Sequence, residues 1–216
     1  MRLFLFLILV LSGLYVMPQN FYGGIKGGFV MSQVDGDNFG GFKKIAPFGG
    51  AYVRNTFNDK WGGMLGINYK HKGSKEVRRR DGIVYFKHEI RLDYIEVPVM
   101  ATYRFERFAI PSLFDVEFPN DFFIEFGISY AYLLKSAEIE GGGSVTDGRK
   151  PHNNYDFQTH QGIIYRLSDN FLINFRYSWT FFFFPFPIRE HPGGQVFWID
   201  RGEYNRNVSL SLMWEF

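Results

Sequence analysis

Alternation of apolar and polar residues with a period of two is the feature that most constrains the fold. In each alternating run one face is apolar and rich in aromatic rings, while the other is small, polar or charged. Successive side chains of a strand point to opposite faces of a sheet, so this pattern predicts strands. Eight such runs lie at 22–33, 45–57, 61–72, 92–105, 122–135, 156–167, 171–180 and 204–216.

The length of these runs favours a membrane barrel. Several last ten to fourteen residues, whereas strands of soluble sheets typically have about 5–6 residues and strands that cross a bilayer about 9–11. Beyond residue 20 no apolar stretch approaches the roughly 18 residues of a transmembrane helix. We therefore predict an all-β fold, an eight-stranded antiparallel up-and-down transmembrane β-barrel with apolar residues outward. A soluble lipocalin-like barrel is the structural alternative, and it would need the opposite orientation.

The connections between the runs alternate in length. Those at 58–60 and 168–170 are tight. The long ones lie at 34–44, 73–89, 136–155 and 181–203. Outer-membrane barrels have short periplasmic turns and longer outer loops, so both termini are expected at the short-turn end. Residues 106–121 fall at that end yet are long, which predicts a periplasmic excursion or a short helix.

The composition suits a barrel and excludes several other classes. The 216 residues include 26 Phe, 13 Tyr, 4 Trp and 24 Gly, and such rings anchor a protein at the bilayer interface. The formal net charge is only +2, so no global field favours nucleic acid as a partner. The absence of cysteine excludes disulfides, thiol catalysis and thiolate metal sites.

The N-terminal segment has the layout of a secretory signal. Arg2 precedes an apolar core from Leu3 to Leu11, which is too short to span a bilayer comfortably. We predict a signal peptide at 1–19 and an outer-membrane β-barrel domain at 20–216. An uncleaved interfacial helix is the alternative for the first segment.

The run LDYIEVPVMATYRF, residues 92–105, raises the question of what fills the interior. Glu96 has no obvious use in a soluble core, and a central strand avoids Pro98 because proline lacks the ladder N–H. A barrel lumen offers polar partners, and a bulge or a locally broken pair accommodates the proline. An eight-stranded barrel is only wide enough for its own side chains, so inward charges are expected to form a hydrogen-bonded plug. The predicted lumen charges are Lys26, Arg54, Lys70, Glu96, Arg104, Glu125, Lys135, Arg176 and Glu215.

Two segments are candidate contact surfaces. HKGSKEVRRRDG, residues 71–82, could pair with lipid phosphates or acidic sugars, or it could be an ordinary solvated loop. FFFFPFP, residues 181–187, extends the aromatic girdle or docks a protein, with Phe184 and Phe186 as candidate partner contacts.

Histidine placement argues against catalysis and metal binding. Lipid-modifying barrel enzymes place a histidine and a serine near the outer rim, so Ser129 and His160 invite comparison. Those sites face the lipid, however, whereas an inward His160 would face the lumen. The remaining histidines show no ligand spacing: His71, His88, His152 and His191. We predict no enzyme activity and no catalytic, cofactor-binding or metal-binding residue.

Four segments resemble a known family: GIKGGFVMS, LDYIEVPVMATYRF, DNFLINFRYSW and NVSLSLMWEF. From about residue 22 to 216 the chain resembles the small outer-membrane β-barrels often labelled porin-like, which include the PorT proteins of the type IX secretion and gliding machinery. The resemblance implies an eight-stranded barrel in the outer membrane of a diderm bacterium. Trp214 and Phe216 are similar to the C-terminal signal that such barrels offer to the assembly machinery. The family has no shared catalytic residues.

Together these features predict a non-enzymatic integral outer-membrane protein with a structural role or a role as an accessory subunit of a secretion or surface complex. A narrow passive pore for small solutes is the alternative, followed by a lipid-modifying enzyme. The expected partners are outer-membrane lipid, the barrel assembly machinery and proteins of a secretion or surface complex, with no cofactor and no nucleic acid.

Overall fold

The structure is a computed structural model that describes residues 20–37, 39–110, 114–141, 143–144, 152–181, 187–190 and 202–216. The predicted signal peptide at 1–19 lies outside these ranges, as do Phe184, Phe186 and His191. Within the described ranges no helix is long and apolar enough to cross a membrane.

The described residues form ten strands. They are β1 (Asn20–Asp35), β2 (Lys44–Thr56), β3 (Trp61–Arg80), β4 (Ile83–Ile110), β5 (Phe114–Glu140), β6 (Gly143–Ser144), β7 (Tyr155–Arg166), β8 (Phe171–Thr180), β9 (Arg189–Glu190) and β10 (Gly202–Glu215). Eight of them pair in the order β1-β2-β3-β4-β5-β7-β8-β10, and β10 pairs back with β1. Every pairing is antiparallel, so the ring is a closed up-and-down barrel. The predicted eight-stranded fold is confirmed.

Apolar side chains cover the outside of this ring. Val97, Phe126 and Leu210 are 38%, 49% and 55% exposed, whereas Arg54 and Glu96 are 6% and 0% exposed. Exposing such a surface to water would cost about 25 cal/mol per Å², so hydrocarbon is the solvent that this wall fits. The predicted orientation is confirmed, and the lipocalin-like alternative is wrong.

The proline in β4 interrupts one ladder. In the ladder between β3 and β4, Leu65 pairs with Val99 and the next pair is Asn68 with Glu96. The two residues between them on each strand are unpaired in this ladder, and the register is the same on both sides of this gap. Pro98 lies within this gap, where it has no N–H to donate. A Cβ built on Gly66 would lie 3.3 Å from Cγ of Pro98, so the glycine leaves room for the ring. The proline is thus accommodated by a locally broken pair.

A bulge in β5 changes the direction of Lys135. Tyr94 pairs with Leu133 and Asp93 pairs with Lys135, so Leu134 is an extra residue that has no paired residue on β4. Leu133 is buried, whereas Leu134 and Lys135 are both exposed. The prediction that Lys135 faces the lumen is wrong, because one inserted residue shifts the alternation that follows it.

Strands β3 and β4 run far beyond the membrane band. Their pairing continues to Arg80–Ile83 and ends in a two-residue turn at Asp81 and Gly82, with φ of 52° and 81°. Positive φ at both turn residues is the hairpin geometry that an Asp-Gly dipeptide favours. The expectation of a long loop at 73–89 is therefore wrong, since most of that segment is a β-hairpin that rises above the barrel.

The connection at 106–121 continues the strand pairing at the opposite end. The ends of β4 and β5 pair with each other from Arg107–Glu117 to Ile110–Phe114. This part extends beyond the residues at which β3 pairs with β4 and β7 pairs with β5. In its described residues, 106–110 and 114–121, this segment is paired strand and contains no helix, as the expectation of an excursion requires.

Candidate functional site

A carboxylate with two lysines lies in the interior toward the loop end of the barrel. Lys70 Nζ lies 2.8 Å from Glu96 Oε1. Lys72 Nζ donates to Glu96 Oε2 at 2.7 Å and to Gln158 Oε1 at 2.7 Å. All four side chains are fully buried. Because each charge has lost its water, the opposite charge beside it is what makes burial tolerable.

A second carboxylate is held by a guanidinium on the other side of the ring. Arg176 donates from Nε and Nη2 to the two oxygens of Glu125 at 2.6 and 2.7 Å. Asn174 Nδ2 donates to Glu125 Oε1 at 2.8 Å. This fork geometry is the strongest kind of ion pair that side chains form, and it fixes both rotamers. β8 supplies Asn174 and Arg176 from successive inward positions.

A histidine of the interior lies between two hydroxyl groups. His160 Nδ1 is 2.7 Å from Ser178 Oγ, and its Nε2 is 2.7 Å from Ser129 Oγ. All three residues are buried. A serine and a histidine at this distance resemble a nucleophile and its base, but here they are enclosed by the barrel wall. The arrangement satisfies the hydrogen-bonding groups of three buried side chains.

The short-turn end has its own charge cluster. Arg54 forms a two-bond fork with Glu215, with both distances 2.7 Å, and Arg166 Nη2 donates to the same carboxylate at 3.0 Å. The half-buried Arg104 instead places its guanidinium 5.5 Å from the ring centre of Phe123.

Lys26, another predicted lumen charge, is buried with its Nζ 5.9 Å from the ring centre of Tyr52. Eight of the nine predicted lumen charges are thus buried or half-buried, and Lys135 is the exception.

A further buried cluster closes the loop end, and sequence reasoning missed it. Arg189 donates to Glu138 at 2.9 Å and to Glu203 at 3.3 Å. His88 lies 3.5 Å from Glu138, and His152 lies 3.6 Å from Glu203. These residues come from segments that the alternation assigns to loops, so no sequence signal brings them together. Within the described part of the chain, no three His, Cys, Asp or Glu side chains are arranged to hold a metal ion.

The basic segment 71–82 does not form one patch. Lys72 points into the lumen, whereas Lys75 is exposed on the outer wall. Arg78, Arg79 and Arg80 are exposed near the tip of the raised hairpin. The strand alternation therefore divides the segment among three environments.

The predicted assembly signal lies on the outside of β10 and at the chain end. Trp214 and Phe216 are exposed, and their ring centres are 5.5 Å apart at the short-turn end. Such a position fits the aromatic girdle of the inner interface. Recognition by the assembly machinery stays a prediction.

A closed antiparallel ring, an apolar wall and a filled polar interior define a small integral β-barrel of the bacterial outer membrane. A family model described as an outer membrane protein beta-barrel domain matches residues 18–182. The chain belongs to this family and resides in the outer membrane.

Solved structures with a similar course of the chain are also outer-membrane proteins. The attachment invasion locus protein Ail of Yersinia pestis, in complex with the heparin analogue sucrose octasulfate, is 12% identical with a TM-score of 0.47, covering 91% of this chain and 99% of that one. OprG of Pseudomonas aeruginosa is 13% identical with a TM-score of 0.38, covering 90% and 95%. AlkL, solved in lipid bilayers, is 12% identical with a TM-score of 0.39, covering 90% of each chain. At these values the likenesses do not bear on function. No curated protein is similar enough to count as a relative.

Proposed function

We propose that the protein is a non-enzymatic, non-conducting outer-membrane barrel that displays its loop-end structures at the cell surface, as a structural element or as an accessory subunit of a secretion or surface complex. The observation that carries this proposal is the filled interior. Lys70, Lys72, Glu96, Glu125 and Arg176 are each at most 2% exposed.

Burial of these side chains speaks against the alternative of a passive pore. A water-filled passage would leave charged groups along it accessible to water, as in wide porins. Here the guanidinium, ammonium and carboxylate groups from β3, β4, β5 and β8 meet one another instead. The enclosed His160 and Ser129 likewise offer no surface for lipid modification.

The raised hairpin supports a display role. β3 continues for eleven residues beyond Tyr69 to Arg80, and β4 pairs with it over that whole length. A paired hairpin is ordered before a partner arrives, so binding to it would lose less conformational entropy than binding to a mobile loop.

Single-channel recording in planar lipid bilayers tests the closed interior. We expect no steady conductance from the full-length protein. The matched variant Glu125→Ala/Arg176→Ala removes one cation and one anion together, so it keeps the charge balance while it opens space, and it is expected to leak ions. Steady conductance of the unaltered protein would refute the proposal.

Crosslinking in intact envelopes tests the accessory role. We expect an envelope protein to be captured by a photoreactive side chain at Arg79 on the hairpin tip, and not by one at Phe126 on the lipid-facing wall. Equal capture at the two positions would speak against a loop-end partner.

A further inference from the structure

An open cleft lies on the outer wall where β2, β3 and β4 leave the apolar band. Its volume is about 450 Å³. The lining residues come from the start of β2 with the residue before it and from the facing parts of the raised hairpin: Lys43, Lys44, Ile45, Ala46, Pro47, His71, Lys75, Glu89, Arg91 and Asp93.

The height of the cleft coincides with the edge of the bilayer. The exposed Tyr69 and Ile95 end the continuous apolar row of the barrel wall on β3 and β4, and apolar side chains are exposed again only near the hairpin tip, at Ile83, Val84 and Tyr85. His71 and Asp93 are the next outward residues on the same strands, about 7 Å higher at 3.3–3.4 Å per residue. Tyrosine at such an edge is typical of the interface with head groups. The cleft therefore opens sideways toward the lipid head groups of the outer leaflet.

Cations outnumber anions in this cleft. Four lining residues are Lys or Arg and two are Glu or Asp. Lys43 is paired with Glu76 beside the cleft, which leaves an excess of one positive charge among these side chains. Glu89 accepts from Arg91 at 2.9 and 3.0 Å and lies 3.7 Å from Lys44. Oδ1 of Asp93 lies within hydrogen-bond distance of Nδ1 of His71, at 2.6 Å. Both carboxylates are thus engaged within the protein.

The exposed cations point outward with donors to spare. Lys75 faces Glu89 across the β3–β4 ladder, and its charge acts on that carboxylate. It makes no hydrogen bond or close ion pair in the part of the chain that the structure describes. Arg91 uses Nε and one terminal nitrogen on Glu89, which leaves its other terminal nitrogen. The exposed apolar side chain of Ile45 lies in the same cleft. A ligand with an anionic head and an apolar body fits this combination better than a free anion does.

We propose that the cleft binds the phosphate of a phosphorylated lipid head group in the outer leaflet. Lysine acts on phosphate as a point charge and arginine as a fork of donors. A basic residue next to a membrane strengthens binding to an anionic lipid by about fivefold. The site is on the wall and not in the lumen, so it is independent of the proposed closed interior.

Titration with purified lipid, followed by native mass spectrometry of the full-length protein in detergent micelles, tests this site. The probes are diphosphoryl lipid A and the same lipid with both phosphates removed. We expect the diphosphoryl form to bind preferentially. Lys75→Gln/Arg91→Gln should weaken that preference about 25-fold, and Lys75→Gln alone about fivefold.

The matched control is Arg79→Gln/Arg80→Gln at the hairpin tip, which removes the same charge away from the cleft and should leave binding unchanged. An equal loss in the control would mean non-specific attraction and would overturn the site. Displacement of the lipid by millimolar inorganic phosphate would show a free-anion site and would also overturn it. Heat-modifiable gel mobility verifies folding. The single variant Lys75→Gln breaks no hydrogen bond or close ion pair of the described residues, so it keeps the test valid if the double variant fails to fold.

Discussion

Lys72 and Lys75 are three residues apart on β3, yet they meet opposite conditions. Lys72 is fully buried and shares Glu96 with Lys70. Lys75 is exposed on the outer wall without a bonded partner among the described residues. The comparison separates two uses of charge in this barrel: the interior charges hold the fold, whereas the wall charges are available to a ligand.

The largest difference is expected when the interior loses its shared carboxylate. Glu96→Gln leaves the buried ammonium group of Lys70 without a counter-charge and Lys72 with Asp156 alone, at 3.8 Å. Breaking a buried pair in this way costs about 3–5 kcal/mol. Urea unfolding in lipid vesicles, followed by tryptophan fluorescence, measures the loss. Lys75→Gln is the matched control, and a surface change of this kind stays within about 0.5 kcal/mol. Equal effects of the two substitutions would erase the distinction between lumen and wall.

A double-mutant cycle on the Glu125–Arg176 fork sharpens the same comparison. Glu125→Leu alone leaves a buried guanidinium and should cost about 3 kcal/mol or more. The double variant Glu125→Leu/Arg176→Met replaces both charges by apolar groups of similar size and should lose much less. The free energies of unfolding of the unaltered protein, the two single variants and the double variant give the coupling energy between Glu125 and Arg176. A coupling energy near zero would mean that the two charges are hydrated.

A smaller effect is expected from the loop between β1 and β2. Burial raises the pKa of Asp37 to about 6, above its ordinary value of about 3.9. The folded protein therefore holds this proton more tightly than the unfolded chain, so stability should fall as the pH rises from about 4 to about 6. Since Asp37 is buried, we expect a change on the order of 2 kcal/mol. Asp37→Asn should remove this part of the pH dependence, and a stability that rises over the same range specifically through Asp37 would contradict the assignment.

The smallest effect is expected at the bulge of β5. Leu133 and Lys135 already pair with the successive residues Tyr94 and Asp93 of β4. Deleting Leu134, which lies between them, would remove the bulge and restore regular alternation. Lys135 stays outside in either case, so the free energy of unfolding should change by about 1 kcal/mol or less. A loss comparable to that of Glu96→Gln would show that the bulge positions interior groups.

Alternation was sufficient to predict the ring, because a closed barrel wall imposes one rule on every strand. It placed Glu96, Glu125 and Arg176 inside before their partners were known. It failed for Lys135, since a bulge depends on how two strands pair and not on either strand alone.

Long-range pairing also explains the other omissions. Arg189, Glu138 and Glu203 meet across the loop end although they are far apart in the chain. Lys72 belongs to the basic segment 71–82 in the sequence, and alternation alone does not show that β3 continues through that segment. The Asp81–Gly82 dipeptide was a usable signal for that continuation, as it is favoured in two-residue hairpin turns.

The raised hairpin also sets the range over which its arginines act. Arg79 is four residues beyond Lys75 on β3, which is about 13 Å along the strand. The Debye length at physiological salt is about 8 Å. Ions in solution therefore shield the tip from the phosphates at the membrane surface, and its positive charge acts only on molecules that come within about a Debye length of it.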